Sequence, residues 1–126
     1  MESETHKQFI KRSEEKYKKI GCVKCPAFYN EEIYFNKIGF NHLLWKGKKM
    51  RTTEEQIRRI DLIPKAVKII SNSEKWSHYR ESSRLLGNGT TSLAKFWSIS
   101  TNTKGQYIRI IIRQTNNGRK YFLSVM

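Results

Sequence analysis

Apolar residues in the first twenty positions recur at helical spacing. Phe9, Ile10, Ser13, Tyr17 and Ile20 fall on one face of a helix expected over Ser3–Ile20, with Gly21 placed to stop it. The Cys22–Pro26 stretch then reads as a turn, Glu32–Phe35 as a short strand, and Gly39 as a breaker before a second helix over Phe40–Lys46. In that helix Phe40, Leu43 and Leu44 point inward, and His42, Trp45, Lys46 and Lys49 fall on the wetter side. Thr52 followed by Glu55 is a capping-box pattern that opens a third helix through Ile57 and Ile60. Pro64 is tolerated only in a first turn, so it opens a fourth helix, Lys65 to Ser71, that buries Val67, Ile69 and Ile70.

From Trp76 onward the period changes. Trp76–Glu81, Leu93–Ser100, Tyr107–Gln114 and Tyr121–Val125 are β-rich runs separated by Gly87-Asn88-Gly89, Thr103-Lys104-Gly105 and Asn116-Asn117-Gly118. Helices followed by an antiparallel meander define an α+β fold, with N-terminal helices packed on a C-terminal sheet in one domain over residues 1–126. If Asn117-Gly118 forms a two-residue loop, Arg113 lies opposite Phe122, Ile111 opposite Ser124 and Arg109 opposite Met126. Alternation then gives a core face of Ile108, Ile110, Ile112, Tyr121, Leu123 and Val125. The other face carries Tyr107, Arg109, Arg113, Phe122 and Ser124, without a carboxylate.

Charge sharpens this picture. The chain carries 25 Lys and Arg against 11 Asp and Glu, a net +14. Residues 64–126 hold 11 of the basic residues and only Glu74 and Glu81 in opposition. Such a surface attracts a polyanion, and the aromatic and arginine mixture suits a phosphodiester with stacked bases. No apolar run approaches the roughly 20 residues of a spanning helix, and a membrane partner is not expected. The polar, acidic start lacks a secretory pattern, which points to the cytosol. Cys22 and Cys25 lack the further ligands a zinc site needs, and neither a metal nor another cofactor is expected; they read as two half-buried thiols flanking a turn.

Magnesium-dependent cleavage of a nucleic acid needs clustered carboxylates, which the second half does not offer. RNA carries its own nucleophile, the 2′-hydroxyl, and needs only a proton acceptor, a proton donor and cations. His42 is the first choice for proton transfer, with Lys46, Lys48, Lys49 and Arg51 as cations beside it. His78, near Arg80, is its rival, whereas His6 lies at a terminus expected to fray.

Three stretches carry a likeness to a known group. They are Ile33-Tyr34-Phe35 leading to Gly39-Phe40-Asn41-His42-Leu43, then Ile60–Val67, then Arg109–Arg113 with Gly118 and Tyr121–Val125. From about residue 22 onward the order resembles the metal-independent RNases of the barnase, EndoU, colicin and RelE-like superfamily, most closely its phage-associated branch. The resemblance implies an RNA-cleaving toxin or effector; attack by the 2′-hydroxyl would leave a 2′,3′-cyclic phosphate, and so basic a face suits an acidic antitoxin or immunity protein as inhibitor. It matches His42 to the family's helical histidine and Ser124 to its last-strand hydroxyl. Arg51, Arg80, Arg109 and Arg113 stand as alternatives for the phosphate contact, and Tyr107 and Phe122 as base-stacking residues. The helix before Gly21 lies outside the resemblance and reads as an added docking element. The alternative is a non-catalytic nucleic-acid-binding module using the same face.

Overall fold

The computed structural model describes residues 5–126. It is an α+β fold in which helices cover one face of a six-stranded mixed sheet. Helix α1 (His6–Lys18) begins at Thr5, whose hydroxyl accepts from the Gln8 amide while Gln8 reaches back to the Thr5 amide. The stretch expected to be a turn is instead strand β1 (Cys22–Cys25), followed by a 3₁₀ turn (Pro26–Phe28). Tyr29 and Asn30 then take left-handed φ values of 56° and 64°, which folds β2 (Glu31–Tyr34) back on β1 as an antiparallel pair. Cys22 is exposed and Cys25 is buried in the core, so the two thiols do not flank a turn.

Helix α2 (Lys37–Leu44) starts three residues before the expected position. Asn36 caps it by accepting from the Gly39 amide, and Gly39 is an interior helical residue rather than a breaker. The helix ends at Leu44, because Trp45–Lys46 (β3) and Lys49–Met50 (β4) form a small hairpin of their own. Thr52 caps α3 (Thr53–Asp61) as expected. This helix turns Gln56 and Arg59 inward and leaves Ile57 at the surface. Pro64 sits in the first turn of α4 (Ile63–Asn72), with Ile63, Ala66 and Ile70 buried.

The C-terminal meander comprises β5 (His78–Leu85), β6 (Thr91–Thr103), β7 (Gln106–Thr115) and β8 (Tyr121–Val125). Its order continues beyond the expected antiparallel arrangement as β1-β2-β8-β7-β6-β5, with β2 and β8 parallel. The last hairpin departs from the two-residue loop. Asn116 exchanges hydrogen bonds with Leu93 through its amide (2.7 Å) and its side-chain oxygen (2.9 Å), and the Lys120 carbonyl is held by the Tyr34 amide at 3.0 Å. These ties spread the connection over residues 116–120.

A register shift between Ile111 and Ile112 then makes Leu123 the extra residue of a bulge. Ile111 still faces Ser124, and Arg109 exchanges backbone bonds with Met126, both as expected. Arg113, however, faces Tyr121, and Phe122 faces Ile112. Phe122 is therefore fully buried and stacked on Phe35 at 5.0 Å, while Tyr121 joins the face of Arg113. The assignments of Tyr121 and Phe122 are the reverse of those expected, because the bulge shifts the alternation by one residue.

The core is Tyr17, Phe28, Ile33, Phe35, Phe40, Leu43, Ile70, Trp97, Ile99, Ile110, Ile112, Phe122 and Val125, between the helices and one sheet face. Among the described residues no helix is long and apolar enough to cross a membrane. Gly39 sets how close α2 lies to β8, since a Cβ there would come within 2.6 Å of the Tyr17 hydroxyl and 2.7 Å of the Phe122 ring. Alanine raises helix propensity by about 1 kcal/mol, but overpacking costs roughly 1–3 kcal/mol or more. Gly39→Ala is accordingly expected to lower the unfolding midpoint in thermal and denaturant melts.

Candidate active site

Strand β2 pairs with β8 only at Tyr34–Tyr121, so the rest of that β8 edge needs other partners. Helix α2 packs there. The buried edge carbonyl of Val125 accepts from Arg59 Nη1 at 2.9 Å, a bond reaching across from α3. Arg59 is buried and paired with Glu55 at 2.8 Å, and its Nη1 lies 3.5 Å from the Ser124 hydroxyl. Hydrogen bonds from Arg58 and Arg59 hold the Glu55 carboxyl down at about 2, so Arg59 keeps an ionised partner throughout the neutral range.

The end of α2 is fixed the same way. Arg51 Nε donates to the His42 carbonyl (3.0 Å), and Gln56 Nε2 donates to the Leu44 carbonyl (3.1 Å). Two carbonyls that a helix end leaves without intrahelical partners are thus satisfied by side chains. Gln56 in turn accepts from His6 Nε2 at 2.6 Å, so the first helix is anchored where fraying was expected. Arg51 is half-buried in this structural role, and its guanidinium supports the histidine from behind.

These constraints turn the His42 imidazole toward the open side of the sheet. It lines a groove of about 540 Å³ together with His78, Arg80, Phe96, Ser98, Arg109, Leu123 and Ser124. No carboxylate is among the residues lining this groove. Arg109 rests on the Ser98 hydroxyl through Nε (3.3 Å) and Nη2 (3.1 Å) and forms no ion pair among the described residues. Burial lowers the His42 pKa, and the charges of Arg113, Arg51 and Arg59 lower it further. A neutral imidazole is a proton acceptor, and this one makes no side-chain hydrogen bond among the described residues.

Of the residues proposed from sequence, His42, Arg109 and Ser124 converge here, and Arg80 and His78 join them. Arg113 stands one row away, its Nε donating to the Tyr121 hydroxyl. Tyr107 is exposed and donates to the Ser100 hydroxyl. Lys46, Lys48 and Lys49 are exposed on the hairpin that follows α2. Phe122 belongs to the core and cannot stack on a base, because the bulge turns it inward. Arg59, Ser98 and Phe96 were not singled out from sequence. Arg59 follows Gln56 by three residues, and a cation on a helix's inward stripe was the available signal.

Comparison with protein-family models, with characterised proteins and with solved structures found no match for this chain.

Two outcomes follow from this geometry. Arg59→Ala leaves the Val125 carbonyl without its side-chain partner and Glu55 with Arg58 alone, and because Glu55 is partly solvated the expected cost is about 1–3 kcal/mol in denaturant unfolding. For His42, the unfolded chain takes up a proton below pH 6.5 that the folded chain resists, so this group withdraws stability as the pH falls through that value. Its imidazole resonance should titrate with a midpoint below 6.5 in NMR, and Arg113→Met should raise that midpoint.

Proposed function

We propose that this protein is a metal-independent endoribonuclease of the toxin type, acting on RNA in the cytosol. The observation that carries this reading is the groove in which His42, His78, Arg109 and Ser124 meet from four different elements with no carboxylate lining it. In the proposed reaction neutral His42 accepts the 2′-hydroxyl proton, and the 2′-oxygen attacks the adjacent phosphorus. His78, which also lines the groove, donates a proton to the departing 5′-oxygen as its bond to phosphorus breaks. The products are a 2′,3′-cyclic phosphate and a 5′-hydroxyl. The Arg109 guanidinium, with the Ser124 hydroxyl beside it, stabilises the charge of the pentacoordinate phosphorane. Lys46, Lys48 and Lys49, exposed on the hairpin that follows α2, add attraction for the backbone. An acidic antitoxin is the natural inhibitor of so cationic a surface.

A non-catalytic nucleic-acid-binding module would use the same cations and give salt-sensitive binding without turnover. Incubation with total RNA in excess EDTA separates the two. The expected result is metal-free cleavage to cyclic-phosphate ends, with His42→Ala slower by about a hundredfold or more. Intact RNA at all protein concentrations, or cleavage only with added divalent metal, overturns the mechanism.

A further inference from the structure

One row of side chains crosses five of the six strands on the sheet face that bears the groove. Strand register sets Arg80 beside Phe96, Phe96 beside Arg113, Arg113 beside Tyr121, and Tyr121 beside Tyr34. Partners in register share a face, so the row alternates guanidinium and aromatic ring across β5, β6, β7 and β8 and ends on β2. Each ring carries an arginine. The Arg80 guanidinium lies 4.3 Å from the Phe96 ring centre, Arg113 lies 5.1 Å from that of Tyr121, and Arg119 lies 4.5 Å from that of Tyr34. None of these three arginines forms an ion pair among the described residues.

A guanidinium stacked on a ring keeps its outer plane free for a second flat group, and its N–H edge free for phosphate oxygen. The row is therefore a series of arginine platforms, with Tyr121 itself buried and the Tyr34 hydroxyl donating to Glu32 at 2.9 Å at the far end. At ~4.8 Å per strand its four interstrand steps span about 19 Å, room for several nucleotides rather than for one small anion. The neighbouring row, His78, Ser98, Ile111 and Ser124, lies two residues away along the strands, about 7 Å. That row belongs to the groove. A nucleotide with its phosphate over the second row can set its base over the first. In a duplex the base faces are already occupied by the duplex's own stack, so only unpaired bases can use such platforms.

We propose that the row Arg80, Phe96, Arg113, Tyr121 and Tyr34 is a binding track for unpaired bases, which makes single-stranded RNA the substrate class of the adjoining groove. The chemistry rests on the ribonuclease reading, but the binding does not. The test uses the full chain carrying His42→Ala and a fluorescein-labelled 12-nucleotide RNA of mixed sequence, either single-stranded or annealed to its complement. Fluorescence anisotropy at fixed salt should show the single strand bound at least tenfold more tightly than the duplex. Phe96→Ala should weaken single-strand binding about five- to hundredfold, the range measured for loss of one stacked base. Arg113→Lys keeps the charge but removes the plane, and it should weaken binding several-fold. Lys65→Met, on the helical side, removes a charge away from the track and should change binding less than twofold.

Circular dichroism of each variant checks that the sheet is intact. Equal affinity for single strand and duplex, or a Phe96→Ala effect no larger than that of Lys65→Met, overturns the track. The two readings fail separately. Track-dependent binding with no cleavage by the His42-containing chain refutes the ribonuclease and leaves the track standing. Cleavage whose KM is indifferent to Phe96→Ala and Arg113→Lys refutes the track alone.

Discussion

The architecture depends on how the free half of one strand edge is closed. Strand β8 is covered by β2 at a single register position, and beyond it the backbone needs partners that no strand supplies. Helix α2 and the Arg59 side chain take that place, one by packing and one by a hydrogen bond to the Val125 carbonyl. The close approach requires a residue without a Cβ at Gly39, and it draws the Tyr17 hydroxyl onto the Asn36 carbonyl at 2.7 Å. Because a helix rather than a strand closes this edge, His42 can reach around to the outer face of the sheet. A fully paired β8 would have kept every helical side chain on the far side.

In and beside the groove, the arginines rest on hydroxyls and rings rather than on carboxylates. Arg109 is held by Ser98, Arg113 by Tyr121 and Arg80 by Phe96. These partners fix orientation without cancelling charge, so the surface keeps its positive potential while its arginines stay ordered. Arg59 is the contrast. It is the buried cation, and it is neutralised by Glu55, because an unpaired charge at that depth would be costly. Charge is thus cancelled at Arg59, which supports the fold, and left open on the arginines in and beside the groove.

Features governed by a few adjacent residues were legible in the sequence. The Thr52 cap, Pro64 in a first turn, the stop at Gly21 and the β-rich runs after Trp76 all stand in the structure, since local chemistry decides them. What failed was decided at a distance. The Asn117-Gly118 signal was overridden by the bonds of Asn116 to Leu93 and of Lys120 to Tyr34, and the resulting bulge exchanged the faces of Tyr121 and Phe122. Strand β1 was hidden because Cys-x-x-Cys-Pro has the composition of a turn, and only pairing with β2 extends it. From the sequence, Arg109, Arg113 and Ser124 are expected on one face, sharing a groove with His42; Arg109 and Ser124 line it, and Arg113 stands one row away. The supporting Arg59 and the Ser98 platform were not legible, because their roles exist only once the sheet edge and cross-strand register are formed.

The parallel contact between β2 and β8 joins residues 34 and 121, and the groove joins residues 42 and 124. Neither exists in a chain that has grown only as far as the helices. During synthesis on a ribosome, the segment bearing His42 leaves the exit tunnel long before β7 and β8, and for that interval the nascent polypeptide holds an incomplete set of groups. The groove draws its imidazole from the first half of the sequence and its guanidinium and hydroxyl from β7 and β8, so it is completed only when those strands dock.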